Sequence, residues 1–338
     1  MAVAVAVVIP NWNGAALLPA CLDGLRGQRY RDFRVVVVDN GSEDDSLAVL
    51  ARYPEARVLR LGRNRGFGAA TNAGIRASAS RYVATLNNDA VPGPEWLGAL
   101  VAAAEADPAA GMWASRMVFA ARPDLLNSCG IALDRVGIAW DLLGGQPVGA
   151  DGEGVAPFGP CAGAALYRRA LLDQVGLFDE RYFAYLEDVD LAWRARRAGW
   201  QCRYVPGATV THQHSATGGE GSARKRYLLG RNKVWLLAQN YPASLWPWLP
   251  LVIAYDIAAV AYALAARRDG AALAGRLAGL VALPRLLRAR AANLRRDEPS
   301  DGTAGARSGA VPLLPPDWPW RVPRRYRHLA AIGAGGKR

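Results

Sequence analysis

The sequence predicts an α/β fold: a mostly parallel central sheet with flanking helices, followed by C-terminal membrane-associated helices. Three observations predict it. Short runs of Val, Ala, Ile and Leu alternate with helix-compatible stretches over the first ninety residues, the pattern of a parallel sheet buried on both faces. Each run stops at a polar, turn-forming cluster. Beyond residue 221 the chain becomes at once basic and apolar.

The first strand is expected over residues 3–9, broken by Pro10-Asn11-Trp12-Asn13-Gly14, with a helix over 15–26. A second strand over 33–38 ends in the acidic turn Asp39-Asn40-Gly41-Ser42-Glu43-Asp44-Asp45-Ser46, which opens a helix over about 47–52. A third strand, 57–61, precedes the loop Arg63-Asn64-Arg65-Gly66-Phe67-Gly68 and a helix over 69–78. The fourth strand, 82–86, closes on Asn87-Asn88-Asp89. Ligands of open α/β sheets bind outside the carboxyl ends of the strands, so four polar clusters at such ends point to one crevice. Gly66-x-Gly68 lacks the third glycine of a dinucleotide fingerprint, and no P-loop motif occurs. Asp89 is suited to hold a divalent cation bridging a diphosphate.

The aromatic run Tyr182, Phe183, Tyr185 leads into Glu187, Asp188 and Asp190. Residues 191–198 are helix-compatible and Gly199 is a suitable C-cap, so the carboxylates fall in or just before a first helical turn. Free N–H groups and the positive dipole end there keep an acid ionised. Asp190 has Arg194 four residues on, at ion-pair spacing. Asp188 has no such local partner, which suits a general base that takes a proton from a hydroxyl.

Residues 157–167 are small and Gly-rich, and Gly163 permits close backbone approach to a ligand or a tight packing turn. A late strand over 204–210 ends at Thr211-His212-Gln213-His214, two of the three histidines in the chain. Four scattered cysteines without a CxxC pair fit reduced thiols in a cytosolic setting. The apolar start of the chain lacks a basic n-region and reads as a strand, not a signal peptide.

Within 338 residues, 1–220 carry a net charge of −2 and 221–338 a net charge of +14. Arginines and lysines at 224–226 and 231–233 precede an apolar run over 245–266 that contains Asp256, Pro247 and Pro250. The run is long enough to span a bilayer, which needs roughly 20 residues. Its charge and prolines favour helices lying in the interface or inserting partway. A second apolar stretch covers 271–287, and Arg-rich flanks suit an anionic membrane surface. Nucleic acid is not expected as a partner, because the arginines flank apolar helices and lack interleaved stacking aromatics. The division expected is a catalytic domain over 1–220, membrane-associating helices over 221–296, and a flexible basic tail over 297–338.

Taken together these segments resemble the family-2 glycosyltransferases, and within them the bacterial rhamnosyltransferase-like branch. Those carrying the resemblance are Val7-Val8-Ile9-Pro10-Asn11-Trp12-Asn13-Gly14, Val38-Asp39-Asn40-Gly41-Ser42, Asn64-Arg65-Gly66-Phe67-Gly68 with Asn72-Ala73-Gly74, and Leu86-Asn87-Asn88-Asp89. Gly163-Ala164-Ala165-Leu166-Tyr167-Arg168-Arg169, Phe178-Asp179-Glu180, Tyr185-Leu186-Glu187-Asp188-Val189-Asp190-Leu191 and His212 complete the order.

The resemblance implies an A-type nucleotide-sugar transferase fold, a divalent cation (Mg2+ or Mn2+) and inversion at the anomeric carbon. It places nucleotide-sugar binding in 1–110 and the acceptor and catalytic part in 111–220. Pro10, Asn11, Trp12, Asp39, Asn64, Gly68, Asn72 and Asn88 fall where the family holds its donor. Asp89 and His212 fall at the metal, Asp188 at the catalytic base, and Gly163, Ala164, Tyr185 and Glu187 at the acceptor pocket. Asn87-Asn88 replaces the acidic residues usual before the last aspartate of the DxD element. The Gln-x-x-Arg-Trp signature of processive synthases is absent from the sequence. The implied activity is transfer of one sugar, foremost rhamnose from its dTDP form, to a lipid-linked or cell-envelope glycan at the cytoplasmic face of the bacterial inner membrane. Galactofuranose, glucose or a hexosamine are the alternative sugars, and a non-catalytic membrane-bound nucleotide-sugar binding protein is the alternative class.

Overall fold

The computed structural model describes residues 3–152, 154–213, 222–296 and 313. The basic tail, Leu313 apart, and His214 lie outside the described residues.

The chain opens as β1 (Val5–Asn11), α1 (Leu18–Arg26), β2 (Phe33–Asp39), α2 (Ser46–Leu50), β3 (Arg57–Arg60), α3 (Phe67–Arg76) and β4 (Tyr82–Leu86). Their boundaries fall within three residues of the sequence reading, because Pro, Gly, Asn and Asp punctuate each one. Side chains alternate between two cores along the strands. Val5, Val7 and Ile9 pack with Leu18, Leu22 and Leu25 of α1, while Val8, Val36 and Val38 face Ala70 and Ile75 of α3. Helices on both faces explain why these strands are apolar throughout.

After β4 come β5 (Ala90–Pro92), α4 (Trp96–Ala106), β6 (Ala110–Phe119), β7 (Leu126–Ser128) and a small hairpin, β8 (Ile131–Leu133) with β9 (Ala139–Asp141). Then β10 (Ala164–Arg168), α5 (Arg169–Val175), α6 (Glu187–Arg197) and β11 (Gln201–His212) complete the sheet region. The sheet order is β3-β2-β1-β4-β10-β6-β11-β5, with β7 on β6. β1, β2, β3 and β4 are parallel, as expected. The second half departs from the parallel reading: β10 is antiparallel to both β4 and β6, and β5 is antiparallel to β11. Sequence patterning carries no signal for strand direction once the βαβ rhythm ends. One continuous sheet therefore crosses the line drawn at 110/111.

α7 (Ala223–Asn240), a 3-10 segment over Ala243–Trp248, α8 (Leu249–Arg267), α9 (Ala271–Val281) and α10 (Leu283–Arg296) follow. α7 is not part of a separate membrane layer. Its Asn240 Nδ2 donates to Asp190 Oδ1 of α6 at 2.7 Å, and Leu236 joins the core with Trp193 and Tyr241. On its other side Gly230 lies against Ala272, and Gly275 and Gly279 of α9 let the two backbones approach. A Cβ at Gly275 would sit 2.1 Å from the Tyr227 carbonyl oxygen.

The charge inside the apolar run has a local explanation. Asp256 faces inward, accepting from Lys233 Nζ at 3.3 Å and Arg276 Nη2 at 2.7 Å. The outer surface of α8 and α9 exposes Ile253, Ile257 (64% exposed), Leu264, Leu277, Leu280 and Val281. By length and composition, residues 243–266 are long and apolar enough to cross a membrane, yet only 17% of their most apolar window is buried in the protein.

Candidate active site

The crevice is framed by amide side chains at the carboxyl ends of β1, β2 and β4. Asn11 ends β1 in register with Asp39, the last residue of β2. Its Oδ1 accepts from Asn88 Nδ2 at 2.7 Å, and its own Nδ2 donates to Ser42 Oγ at 3.2 Å. Ser42 Oγ also accepts from Asn13 N–H, and Ser46 Oγ from Gly14 N–H, zipping the loops after β1 and β2 together. Asn40 reaches the loop after β3, where Asn64 Oδ1 accepts from Asn40 Nδ2 at 3.1 Å and from Gly66 N–H at 2.9 Å. Asp39 is buried, and its Oδ1 has no hydrogen-bond partner among the described residues. A buried orphan acceptor at a strand's carboxyl end is chemistry a ligand's N–H would satisfy.

Asp89 follows β4 and leads into β5, which pairs with the end of β11 so that His212 stands opposite Ala90. This brings His212 Nε2 to 3.1 Å from Asp89 Oδ1. His212 Nδ1 lies 2.8 Å from Asn127 Oδ1 on β7. In the tautomer that donates Nδ1–H to Asn127, the Nε2 lone pair would face the carboxylate, an arrangement a cation between them would resolve. The two donors, one imidazole and one carboxylate, fit a divalent ion that takes further ligands from a diphosphate. Among the described residues no third His, Cys, Asp or Glu joins them.

Asp188 reaches the same region from α6. Its Oδ2 accepts from Ala162 N–H at 3.3 Å and its Oδ1 from Val189 N–H at 2.8 Å. The next residue along, Gly163, accepts from Asn87 N–H at 2.8 Å. Asp188 is thus joined through Ala162 and Gly163 to the Asn87–Asp89 segment. The three carboxylates of this turn have three environments. Asp190 is ion-paired with Arg194 at 2.9 Å, as its spacing predicted. Glu187 is buried and its Oε2 has no partner among the described residues. Burial, then the neighbouring Asp188 charge, pushes the Glu187 carboxyl far above the usual range. Burial raises Asp188 too, but its two N–H donors restrain the rise. Glu187 therefore keeps the proton and Asp188 is the ionised partner.

The turn before α6 is strained. Phe183, Tyr185 and Leu186 have φ of 67°, 71° and 69°, left-handed values that cost a non-glycine residue roughly 1–3 kcal/mol each.

Residues 6–176 match the family described as Glycosyl transferase family 2. The chain belongs to that family. It is 32% identical over 244 residues to an N-acetylglucosaminyl-diphospho-decaprenol L-rhamnosyltransferase of Mycobacterium tuberculosis, spanning 64% of this chain and 78% of the relative. To the pre-mycofactocin glycosyltransferase of the same organism it is 33% identical over 237 residues, 67% of this chain and 46% of that one. A mannosyltransferase from Pyrobaculum calidifontis, solved in complex with GDP-Man and Mn2+, superposes with a TM-score of 0.53 at 21% identity, covering 88% of this chain and 86% of that one. The chain is a glycosyltransferase with the A-type fold.

Against the family-2 expectation the structure brings Asn11, Asp39, Asn64 and Asn88 to one crevice, and Asp89 to His212. Other readings are corrected. Asn72 does not face the donor side: its Nδ2 donates to Phe178 O at 2.8 Å and Glu180 Oε1 at 3.1 Å, and its Oδ1 accepts from Phe178 N–H. Gly68 packs on the same Phe178–Glu180 segment. Ala164 is a core residue of β10 rather than pocket lining. Tyr182 is fully buried, edge-on to Trp235. Pro10 and Trp12 are half-buried at the mouth of β1, as is Tyr185 beside α6. Gly163 leaves room for the Asn87 side chain. The sequence reading missed Asn127, whose three-residue strand has no pattern of its own.

Gly14 makes the Asn11–Asn88 pair possible, since a Cβ there would lie 2.2 Å from both amides. Gly14→Ala is expected to part that pair and lower stability by about 1–3 kcal/mol, read as a depressed melting temperature. An unchanged melt would mean the pair separates without cost.

Proposed function

We propose that this glycosyltransferase transfers a single sugar, rhamnose from dTDP-rhamnose, to a hydroxyl of a lipid-linked N-acetylglucosaminyl diphosphate, with inversion. The observation that carries the reaction type is the Asp188 carboxylate, held by Ala162 N–H and joined through Gly163 and Asn87 to the segment that carries Asp89 of the Asp89–His212 pair. The named donor and acceptor rest on the 32% identical relative, whose name gives a rhamnosyl transfer to a diphospho-decaprenol-linked N-acetylglucosamine.

Asn11, Asp39 and the Asn40–Asn64 loop bind and orient the nucleotide, the orphan Asp39 Oδ1 accepting from a base N–H. A divalent cation held by Asp89 and His212 would neutralise charge on the departing diphosphate. Asp188 takes the proton of the acceptor hydroxyl as its oxygen bonds to the anomeric carbon and the bond to the nucleoside diphosphate breaks. Attack from the face opposite the leaving group inverts the centre. Protonated Glu187 adds no second negative charge beside the base.

Asp188→Asn is expected to lower kcat by about 10²–10⁴-fold, the usual worth of a general base, and to leave nucleotide-sugar affinity intact. Wild-type turnover in this variant would remove Asp188 from the reaction. The sign for pH follows from the raised carboxyl: kcat/KM falls as pH drops through a value above the ordinary aspartate range, and this acid limb vanishes in the residual activity of Asp188→Asn.

Asn127→Leu is expected to weaken Mn2+ binding about 10–100-fold by releasing the His212 ring, measured by titration in the presence of dTDP. Equal affinity would show that the histidine is not a ligand.

The exposed face of α8 and α9, with Arg268, Arg285 and Arg288 exposed beside it, supports seating on the anionic cytoplasmic face of the bacterial inner membrane, where a lipid-linked acceptor is found. Ile253→Asp with Ile257→Asp is expected to abolish sedimentation with phosphatidylglycerol vesicles. Unchanged sedimentation would place the membrane contact elsewhere.

A further inference from the structure

Glu180–Tyr182 forms a single 3-10 turn closed by Phe183 N–H on Glu180 O, and Ala184 N–H donates to Tyr182 O at 2.8 Å. The other carbonyls over 181–186 must be satisfied one by one from outside that turn. α7 supplies most of the donors. Arg231 Nη2 donates to Arg181 O at 3.3 Å and to Tyr182 O at 2.7 Å. The two N–H bonds of Asn232 are shared among Tyr182 O, Ala184 O and Tyr185 O at 3.1, 2.8 and 2.8 Å. Phe67 N–H takes Phe183 O, and Asp190 N–H takes Leu186 O as the first turn of α6. Asn232 is completely buried. Above it, Arg224 and Lys225 sit over the rings of Phe183 and Tyr185 at 4.9 and 5.4 Å.

These bonds are spent on the segment least able to hold its own shape. Three left-handed non-glycine residues stand within four positions of one another, and the last of them, Leu186, is the N-cap of α6. A relaxed φ there would swing the first turn of that helix, which carries Asp188. The opposite side of Gly66 closes the vice, because a Cβ on it would meet the Phe183 carbonyl oxygen at 2.3 Å.

We infer that Asn232 and Arg231 are positioning residues for the base carboxylate, holding the strained 182–186 turn so that Asp188 points into the crevice. The inference rests on the reading of Asp188 as the base. Both lie beyond the segment that matches the family, residues 6–176. Lys233, the next residue of α7, joins the ion pair of Asp256 and Arg276. The same helix therefore links the apolar hairpin to the catalytic turn.

The test uses the full-length protein with dTDP-rhamnose and an N-acetylglucosaminyl-diphospho-lipid. Asn232→Ala is expected to lower kcat on the order of 100-fold, the scale of a misplaced catalytic group, with nucleotide-sugar affinity unchanged. Amide hydrogen exchange should rise over 183–189 and not in β1 to β4. Adding Leu186→Gly, which takes a positive φ without a Cβ penalty, should recover part of the lost kcat. If Asn232→Ala does not fold, Arg231→Lys is measured in the same way, with a smaller loss expected.

A kcat near wild type, or donor affinity falling in step with kcat, would overturn the inference. Failure to recover any kcat with Leu186→Gly would also overturn it. Asp188→Asn is run alongside: full activity there sinks the base reading itself, whereas an inactive Asp188→Asn with an active Asn232→Ala sinks only the positioning role.

Discussion

One strand inserted against the grain determines what the crevice contains. β10 lies antiparallel between β4 and β6, so it begins where β4 ends. The loop before it, Cys161 to Gly163, is thereby delivered to the carboxyl end of β4, where Gly163 O receives Asn87 N–H. A parallel β10 would send that loop to the opposite edge, and Ala162 N–H with it. β6 and β11 then run parallel to each other over their length and finish at the crevice end, which puts His212 beside Asp89. The amides after β1, β2 and β4 need only parallel βαβ units to gather. Ala162 and His212 need this reversal.

The first turn of α6 shows how one helix end produces three different acids. Helix N-terminal N–H groups favour negative charge, but they are finite. Asp190 leaves them and pairs with Arg194, whose guanidinium also caps carbonyls of Val175 and Leu177. Asp188 gains two backbone donors and stays ionised. Glu187 gains none through its buried Oε2, and a second charge beside Asp188 would be repelled in a low-dielectric site. Which carboxyl stays ionised and which holds the proton thus follows from which oxygen finds an N–H.

Much of this was legible in the sequence, and the reasons are physical. The β1–β4 region was readable because apolar runs of strand length alternate with turn formers, and polar clusters at strand ends converge by topology alone. Asp190–Arg194 was readable from helical spacing. Asn72 and Gly68 were misplaced because a motif segment is close to the donor loop in sequence while their side chains turn toward Phe178–Glu180. Asn127 and Asn232 had no signal, since an amide that organises backbone from another element leaves no periodicity and no charge pattern. Strand direction after residue 90 was likewise silent.

The C-terminal helices show why composition and placement have to be read together. Asp256 argues against a lipid-embedded run as long as its direction is unknown, because an unpaired charge in hydrocarbon is costly. Placed, it points inward to Lys233 and Arg276, and the ion pair knits α7, α8 and α9 together while Ile253, Ile257 and Leu277 remain outside. Glycines at 230, 275 and 279 bring the α7 and α9 backbones too close for side chains between them. Such a contact transmits displacement rather than absorbing it, since packed backbones have no soft layer. α7 thus packs against an apolar hairpin on one side and the strained turn before Asp188 on the other.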